Sequence, residues 1–243
     1  MPPDLFAGAL RPSTPLHEQV LSAKGRAGNR PRRLAAIVIV ALAWAAAAVP
    51  ASAAPPRAAP LSAADRGDVG RIEAYLNRIG TLKARFLQVS STGELSEGTL
   101  FISRPGKLRI EYDPPVPILI VAGGGVLTYF DKELEQVSEI DIESTPAGFL
   151  LQETVSFFSG DFTLTKFKRQ ADAARVTLVR TEDPQEGSLT LIFSDRPLTL
   201  RKWIVIDAQG VETTVSLLKT RFGLPLNPEL FTFEAPDPFE PEN

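Results

Sequence analysis

The pattern that decides the fold lies in residues 98–112, GTLFISRPGKLRIEY. Apolar side chains occupy alternate positions on both sides of Arg104-Pro105-Gly106: Leu100 and Ile102 precede this tripeptide, and Leu108, Ile110 and Tyr112 follow it. A period of two sends alternate side chains to opposite faces of a strand, and adjacent Pro and Gly residues mark a turn. The stretch therefore predicts an antiparallel hairpin with one apolar face.

The same rhythm continues along the chain in both directions. Alternation begins at Leu82, and further strands are predicted near residues 118–122, 126–130, 134–140, 162–169, 174–181, 188–194, 198–206 and 211–221. Turn signals separate them, including Gly123-Gly124-Gly125, which lacks the Lys and Ser or Thr that complete a phosphate-binding loop. About 11 short strands at this spacing favour a sandwich or a barrel.

Two segments depart from the period of two. Apolar residues at i, i+3, i+7 and i+10 from Val69 form one stripe of an amphipathic helix, and Gly80 stands where a C-cap glycine belongs. Residues 144–160 concentrate Phe and Leu around Thr145-Pro146, a pair that is typical of a helix start. The first segment predicts a helix from about Val69 onward, and the second predicts one or two short, very apolar helices.

The first 53 residues have the order of an export signal. Basic residues, among them Arg32 and Arg33, precede an uninterrupted apolar run over 34–48, and Ala51-Ser52-Ala53 supplies a cleavage site. The run is shorter than the roughly 20 residues of a membrane span, and an uncleaved anchor is the alternative. The sequence therefore predicts a signal peptide over 1–53 with an unusually long basic region, cleavage after Ala53, and a single domain over 54–243.

The chemistry open to residues 54–243 is narrow, because they contain no His, Cys or Met. This excludes His-dependent nucleophiles, zinc sites built on His or Cys, and disulfides. The net charge of the whole chain, −3, argues against nucleic acid as a partner. Acidic pairs on strand faces, Asp131/Glu133 and Glu139/Asp141, leave a carboxylate-based envelope hydrolase as an alternative, but a solvated outer face explains them more simply. We predict no catalytic residues, no metal site and no cofactor.

The apolar residues are more informative than the polar ones. An antiparallel sheet of about 11 strands curls widely, and its inner face can exceed what side chains fill. The apolar insert then has two interpretations: it covers the mouth of a ligand cavity, or it plugs an ordinary closed core. The residues alone leave both open.

Several short stretches stand in a distinctive order between about Val69 and Pro236. They are Phe86-Leu87-Gln88, residues 98–105, 108–112, 121–124 and 127–131, Thr145-Pro146, and residues 227–233. Together they resemble the LolA family of periplasmic carriers of outer-membrane lipoproteins. The resemblance implies a mainly β fold with short helices: a half-open antiparallel barrel with an N-terminal helix and a helical lid over an apolar cavity.

The resemblance also implies roles for particular residues. Arg104 falls where the family has an Arg that is thought to hold the lid closed, and a guanidinium offers five hydrogen-bond donors for that task. The implied lid contains Phe149, Leu150 and Leu151. The implied cavity wall contains Phe86, Leu100, Ile102, Leu108, Ile110, Tyr112, Val121, Leu127 and Tyr129, although the family often has aromatic residues where Leu108 and Ile110 stand.

The partners follow from the same resemblance. It implies acylated lipoproteins as cargo, an inner-membrane ABC-type lipoprotein releaser, and an outer-membrane acceptor or the outer-membrane lipid surface, with a monomer acting in the periplasm. A carrier of another lipid or glycolipid is the alternative within the binding class. A hydrolase would need two acidic side chains on the concave face, and a structural scaffold would need a filled core without a cavity.

Overall fold

The computed structural model describes residues 55–235, so the predicted signal peptide and its cleavage site lie outside the described residues. The described chain begins with helix α1 (Ala63–Asn77) and has a six-residue helix, α2 (Pro146–Leu151). Single 3-10 turns occupy Ile142–Ser144, Pro184–Glu186 and Pro228–Phe231. The strands are β1 Thr81–Val89, β2 Leu95–Ser103, β3 Lys107–Tyr112, β4 Ile118–Gly123, β5 Val126–Asp131, β6 Gln136–Asp141, β7 Phe162–Arg169, β8 Ala173–Arg180, β9 Gly187–Asp195, β10 Leu198–Asp207 and β11 Glu212–Phe222.

All 11 strands belong to one antiparallel sheet in the order β6-β5-β4-β3-β2-β1-β11-β10-β9-β8-β7. Neighbours in the sheet are neighbours in sequence except for β1 and β11, which pair with Leu87 opposite Ser216. β6 and β7 are the terminal strands of the described sheet, which is a half-open barrel because these two strands do not pair. Residues 142–161 join one edge to the other and carry α2. The predicted fold class is confirmed.

The hairpin predicted from residues 98–112 is β2 paired with β3. Leu100 lies opposite Ile110, and Gly98 lies opposite Tyr112. A Cβ on residue 98 would lie 2.6 Å from the ring of Phe86, which packs edge-on against Tyr112 at a centroid distance of 5.2 Å. Glycine at position 98 therefore leaves room for an aromatic pair on the buried face of the sheet.

The N-terminal helix starts earlier and ends earlier than predicted. Its first residue is Ala63, because Ser62 and Asp65 form a capping box: the Asp65 N–H donates to Ser62 Oγ at 3.1 Å, and the Ser62 N–H donates to the Asp65 carboxylate at 3.0 Å. The helix ends at Asn77, so the prediction that Gly80 caps it is wrong. No helix in the described part of the chain is long and apolar enough to cross a bilayer.

One large apolar cluster covers a single face of the sheet, which we call the inner face. It unites Val69, Ile72 and Leu76 of α1 with alternate residues of the strands. A second, small cluster of Leu119, Val121 and Phe130 lies apart from it and packs against Phe233.

The prediction that Val121 lines the cavity is wrong, because Val121 lies on the outer face of the sheet with Leu119. Its neighbours in β4, Ile120 and Ala122, belong to the inner cluster. The sequence of β4 misleads because the strand is buried on both faces, so it presents a continuous apolar run in place of an alternation.

Candidate functional site

Most of the predicted cavity-wall residues lie on the inner face of the half-open barrel. Seven predicted wall residues belong to the inner cluster, and Tyr129 packs against it: the seven are Phe86, Leu100, Ile102, Leu108, Ile110, Tyr112 and Leu127. One void in this cluster, of about 10 Å³, is lined by Phe86, Leu100, Ile110, Tyr112, Trp203 and Val215. That volume is at the lower limit for one water molecule. The role of these residues as a ligand cavity wall stays a prediction.

We call residues 142–161 the lid segment. It packs on the inner face through a group of aromatic side chains: Phe149, Phe157 and Phe162. Phe149 stacks on Phe157 with ring centroids 5.5 Å apart, and it meets Phe162 edge-on at 5.1 Å. Phe149 and Leu151 are buried in the inner cluster, and Leu150 is half-buried against it. The three residues predicted for the lid thus lie in α2 over the inner face. Movement of the lid stays a prediction.

Local chemistry explains why the lid segment turns where it does. Thr145 Oγ1 donates to the Ile142 carbonyl at 2.7 Å and accepts from the Gly148 N–H at 3.3 Å. A Cβ on residue 148 would lie 2.5 Å from the Ile142 carbonyl oxygen, so only glycine permits this close approach. Because a six-residue helix is unstable by itself in water, α2 depends on its contacts with the rest of the protein.

Arg104 connects the lid segment to α1. Its Nε donates to the Gln152 carbonyl at 2.8 Å, and its Nη1 donates to the Leu76 carbonyl at 2.5 Å. Longer contacts of 3.3 to 3.4 Å reach the Ile79 and Glu153 carbonyls and Asn77 Oδ1. One guanidinium thus binds the last turn of α1 and the backbone that follows α2. The structure brings together the groups that a lid lock requires, while the locking role itself stays a prediction.

The environment of Arg104 contains oxygen dipoles but no paired carboxylate. None of the ion pairs among residues 55–235 includes Arg104. Burial lowers the pKa of its guanidinium, which nonetheless stays charged at neutral pH. The carbonyls at the C-terminus of α1 stabilise that charge, since this end of a helix is electronegative. The contact is therefore strong only while α1 and the lid segment are both in place.

Two residues of α1 that the sequence did not single out also hold the lid segment. Asn77 Nδ2 donates to the Val155 carbonyl and Asn77 Oδ1 accepts from the Val155 N–H, both at 2.8 Å. Glu73 accepts from the Phe157 N–H at 2.9 Å. Polar residues four positions apart are common on any exposed helix face, so no sequence signal distinguishes this pair.

The opposite side of α1 is attached to the sheet by side chains. Arg71 pairs with Asp195 at 2.5 Å, and Arg169 pairs with Asp68 at 2.5 Å. The Arg71 hydrogen bond lowers the pKa of Asp195. The Tyr75 hydroxyl oxygen also accepts a hydrogen bond from the Leu200 N–H at 3.1 Å.

One carboxylate of each acidic pair noted in the sequence, that of Asp131 and that of Asp141, caps a turn. Asp131 Oδ1 accepts from the N–H groups of Glu133 and Leu134 at 2.9 and 3.0 Å, so it caps the turn between β5 and β6. Glu133 lies in that turn, so the prediction that Asp131 and Glu133 share a strand face is wrong. Asp141 likewise caps the 3-10 turn through the Glu143 N–H at 2.8 Å. Residues 55–235 contain no group of three or more potential metal ligands.

An open groove of about 600 Å³ lies beside the lid segment. Its lining mixes apolar residues such as Leu151 and Phe162 with Glu153, Asp161 and Glu182. Arg180 crosses it and donates to the Glu143 carbonyl. The groove is open and its lining is both polar and apolar, so it differs from the apolar inner face, and it was not anticipated from the sequence.

Known proteins are similar in sequence to this chain over most of their length. The family described as outer membrane lipoprotein carrier protein LolA matches residues 77–234. An outer-membrane lipoprotein carrier protein of Pseudomonas paraeruginosa is 30% identical over 184 residues, which cover 72% of this chain and 86% of the relative. An uncharacterised protein of Rickettsia prowazekii is 26% identical over 167 residues, covering 69% and 76%.

Among solved structures, a LolA superfamily protein from Nitrosomonas europaea is similar with a TM-score of 0.39 and 12% identity, over 68% of this chain and 97% of that one. The family match spans β1 to β11 and includes Arg104 and the lid segment. This chain belongs to the LolA family of outer membrane lipoprotein carrier proteins.

Proposed function

We propose that the protein is a periplasmic carrier that encloses the acyl chains of lipoproteins released from the inner membrane and delivers them to the outer membrane. In this proposal residues 1–53 direct export and residues 54–243 form the carrier, which acts as a monomer. The observation that carries the proposal is the contact of Arg104 with Leu76 and Gln152, which ties α1 to the lid segment over an apolar interior.

The physical need for such a carrier is large. Each methylene exposed to water costs about 0.8 kcal/mol, so a lipoprotein with two or three acyl chains cannot cross an aqueous space unprotected. A permanently open apolar cavity would itself promote aggregation. In this proposal the lid segment, whose Phe149 and Leu151 pack in the inner cluster, avoids that exposure in the empty protein. Loading therefore requires that the lid segment move and that the inner side chains separate.

The closed state also supports release. Cargo and the closed lid compete for the same apolar surface, so every contact that stabilises closure reduces the net affinity for cargo. A carrier that takes cargo from an inner-membrane ABC-type releaser must lose it to an outer-membrane acceptor or to the lipid surface itself. Hydrogen bonds from Arg104 to carbonyls of α1 and the lid segment would provide this competition.

The hydrolase alternative has no comparable support. It requires two carboxylates on the inner face, whereas the residual void is lined by apolar and aromatic residues. The buried carboxylates among the described residues, Asp131 and Asp195, are bound to a turn and to Arg71.

The test is the substitution Arg104→Leu in purified protein, with transfer of a fluorescent acylated lipoprotein measured separately from its binding. Losing several charge-assisted bonds should leave binding at least as tight and slow the transfer to acceptor membranes by at least about tenfold. Arg109→Leu is the matched control, because Arg109 also lies in this hairpin but bonds to Glu111 and the Leu230 carbonyl, away from the lid.

Each outcome decides between the alternatives. Transfer at the wild-type rate by Arg104→Leu would reject the lock. Failure of the wild-type protein to bind any acylated ligand would reject the carrier, and release of free fatty acid would favour the hydrolase. Equal binding of lipoprotein and free lipid would favour a carrier of another lipid.

A further inference from the structure

A second polar pair lies on the inner face, far from Arg104. Gln88 of β1 is on the same face as Phe86 and is only 1% exposed. Its Oε1 accepts from the Tyr112 hydroxyl at 2.8 Å, and burial raises the pKa of that hydroxyl, so it remains a donor. The Gln88 Nε2 atom is buried and has no hydrogen-bond partner among the described residues.

A buried amide donor without an acceptor is unfavourable, and a nonpolar side chain of the same size would avoid the penalty. Its surroundings are mostly apolar or aromatic: Gln88 lies between Ser96 on β2, which is buried, and Val215 on β11, and Tyr112 packs against Phe86. Phe86, Tyr112 and Val215 line a void of about 10 Å³. The amide therefore lies next to side chains that must separate when the interior opens.

We propose that Gln88 Nε2 donates a hydrogen bond to a carbonyl oxygen of the cargo's acyl group. This inference rests on the proposed function. Every acyl chain carries one carbonyl at its attachment point, and a carbonyl oxygen accepts hydrogen bonds but cannot donate them. It is thus the acceptor that the orphaned donor lacks. Tyr112 holds the amide oxygen and so directs the Nε2 atom away from itself.

The position of Gln88 gives the bound chain a direction. The positions along β1 and β2 can be compared through their pairing. Gln88 on β1 lies opposite Ser96 on β2, and Thr81 on β1 lies opposite Ser103 on β2. Arg104 directly follows Ser103. Seven residues of extended strand separate these two levels, which is about 23 Å. The carbonyl would be held at one end of the interior and the hydrocarbon would run toward the lid. Apolar burial then supplies affinity, and the amide distinguishes an acyl chain from a plain alkyl chain.

The experiment compares two synthetic lipopeptides of identical peptide sequence, one with two ester-linked chains and one with the same chains linked as ethers. Their dissociation constants are measured by displacement of a fluorescent lipopeptide. The ether lacks the carbonyl, so the wild-type protein should bind the ester about five- to tenfold more tightly.

Two variants isolate the amide. Tyr112→Phe retains the Gln88 donor but removes the bond that orients it, so the preference for the ester should persist in weakened form. The double variant Gln88→Met/Tyr112→Phe removes the donor together with its partner, which leaves no new orphaned group, and it should bind both ligands equally. The ratio of the two dissociation constants within one variant cancels general effects on folding.

The outcomes separate this inference from the proposed function. If the wild-type protein binds neither ligand, the proposed function fails and the inference fails with it. If it binds both equally, or if the double variant keeps the preference, the carrier function stands and the role of Gln88 is overturned.

Discussion

Two segments cover the same inner face of the sheet, and they are held there by different kinds of contact. α1 has 15 residues and its own capping box, and its side chains pair with side chains of the sheet, as Arg71 does with Asp195. The lid segment has one helix of six residues. Its backbone receives the polar contacts, from Arg104 at the Gln152 carbonyl and from Asn77 at Val155.

The difference indicates which cover opens. α1 is the longer helix, begins with a capping box and is anchored to β9 and β10 through Asp195 and the Leu200 N–H, so we expect it to behave as part of the wall. The lid segment depends on tertiary contacts for its conformation, and segments of that kind occupy the low end of local stability. We therefore expect the lid segment to open while α1 stays on the sheet.

The strongest test of this comparison truncates one fully buried side chain in each cover. The substitutions are Ile72→Ala in α1 and Phe149→Ala in the lid segment, and both native residues are 0% exposed. Ile72→Ala should lower the global free energy of unfolding by about 2–5 kcal/mol. Phe149→Ala should lower the global free energy of unfolding less. The contacts of Phe149 are already lost when the lid segment opens, so the decrease cannot exceed the free energy of lid opening. Urea denaturation measures the first effect and amide hydrogen exchange of Val155 and Phe157 measures the second.

The comparison would break if Phe149→Ala lowered global stability as much as Ile72→Ala and accelerated exchange equally in both covers. The lid segment and α1 would then form one cooperative unit. Selective acceleration of exchange in residues 152–157 would instead establish the lid as a separate unit.

A smaller effect on stability is expected for the contact between α1 and the lid segment. Asn77→Ala removes both bonds to Val155 and should lower the free energy of lid opening by about 1–2 kcal/mol, with little change in global unfolding. Hydrogen exchange of the Phe157 amide, whose acceptor Glu73 is left in place by the substitution, measures the opening. Arg66→Ala, at an exposed position of α1, is the control and should leave this exchange rate unchanged. A lid that opens no more readily in Asn77→Ala would mean that Arg104, Glu73 and the aromatic group hold it without a contribution from Asn77.

The smallest effect concerns pH. The hydrogen bond from Arg71, with further attraction from Arg169, lowers the pKa of Asp195 in the folded state. Its stabilisation is therefore complete above the unfolded aspartate pKa of about 3.9 and is lost as the pH falls through the lower folded value. The wild-type protein should lose α1 protection in acid more steeply than Asp195→Asn, as measured by hydrogen exchange across that range. Parallel pH profiles of the two proteins would contradict this anchor for α1.

The sequence predicted the positions of the strands better than it predicted which face of the sheet each side chain occupies. Alternation at Leu100, Ile102, Leu108 and Ile110 located β2 and β3 and their inner face correctly. The continuous apolar run of β4 located a strand but not the orientation of Val121, because both of its faces are buried. Hydrophobic patterning reports burial, and it reports a face only where the other face is exposed.

The true start of α1 could have been predicted from the sequence. Ser62 and Asp65 stand at the spacing of a capping box, which marks the helix start more directly than the apolar stripe that begins at Val69. The end of the helix had a misleading signal, because Gly80 precedes β1 without capping the helix.

The sequence by itself determined the strand rhythm, the apolar insert and the family, because each of these is encoded in the local order of residues. Only the tertiary structure decided that Asn77 meets Val155, 78 positions away, and that Arg104 binds carbonyls of α1 and of the lid segment. Backbone carbonyls are identical for every residue type, so no sequence pattern identifies which of them a distant side chain will reach. The same holds for the orphaned amide of Gln88, since the absence of an acceptor becomes visible only when all its neighbours are in place.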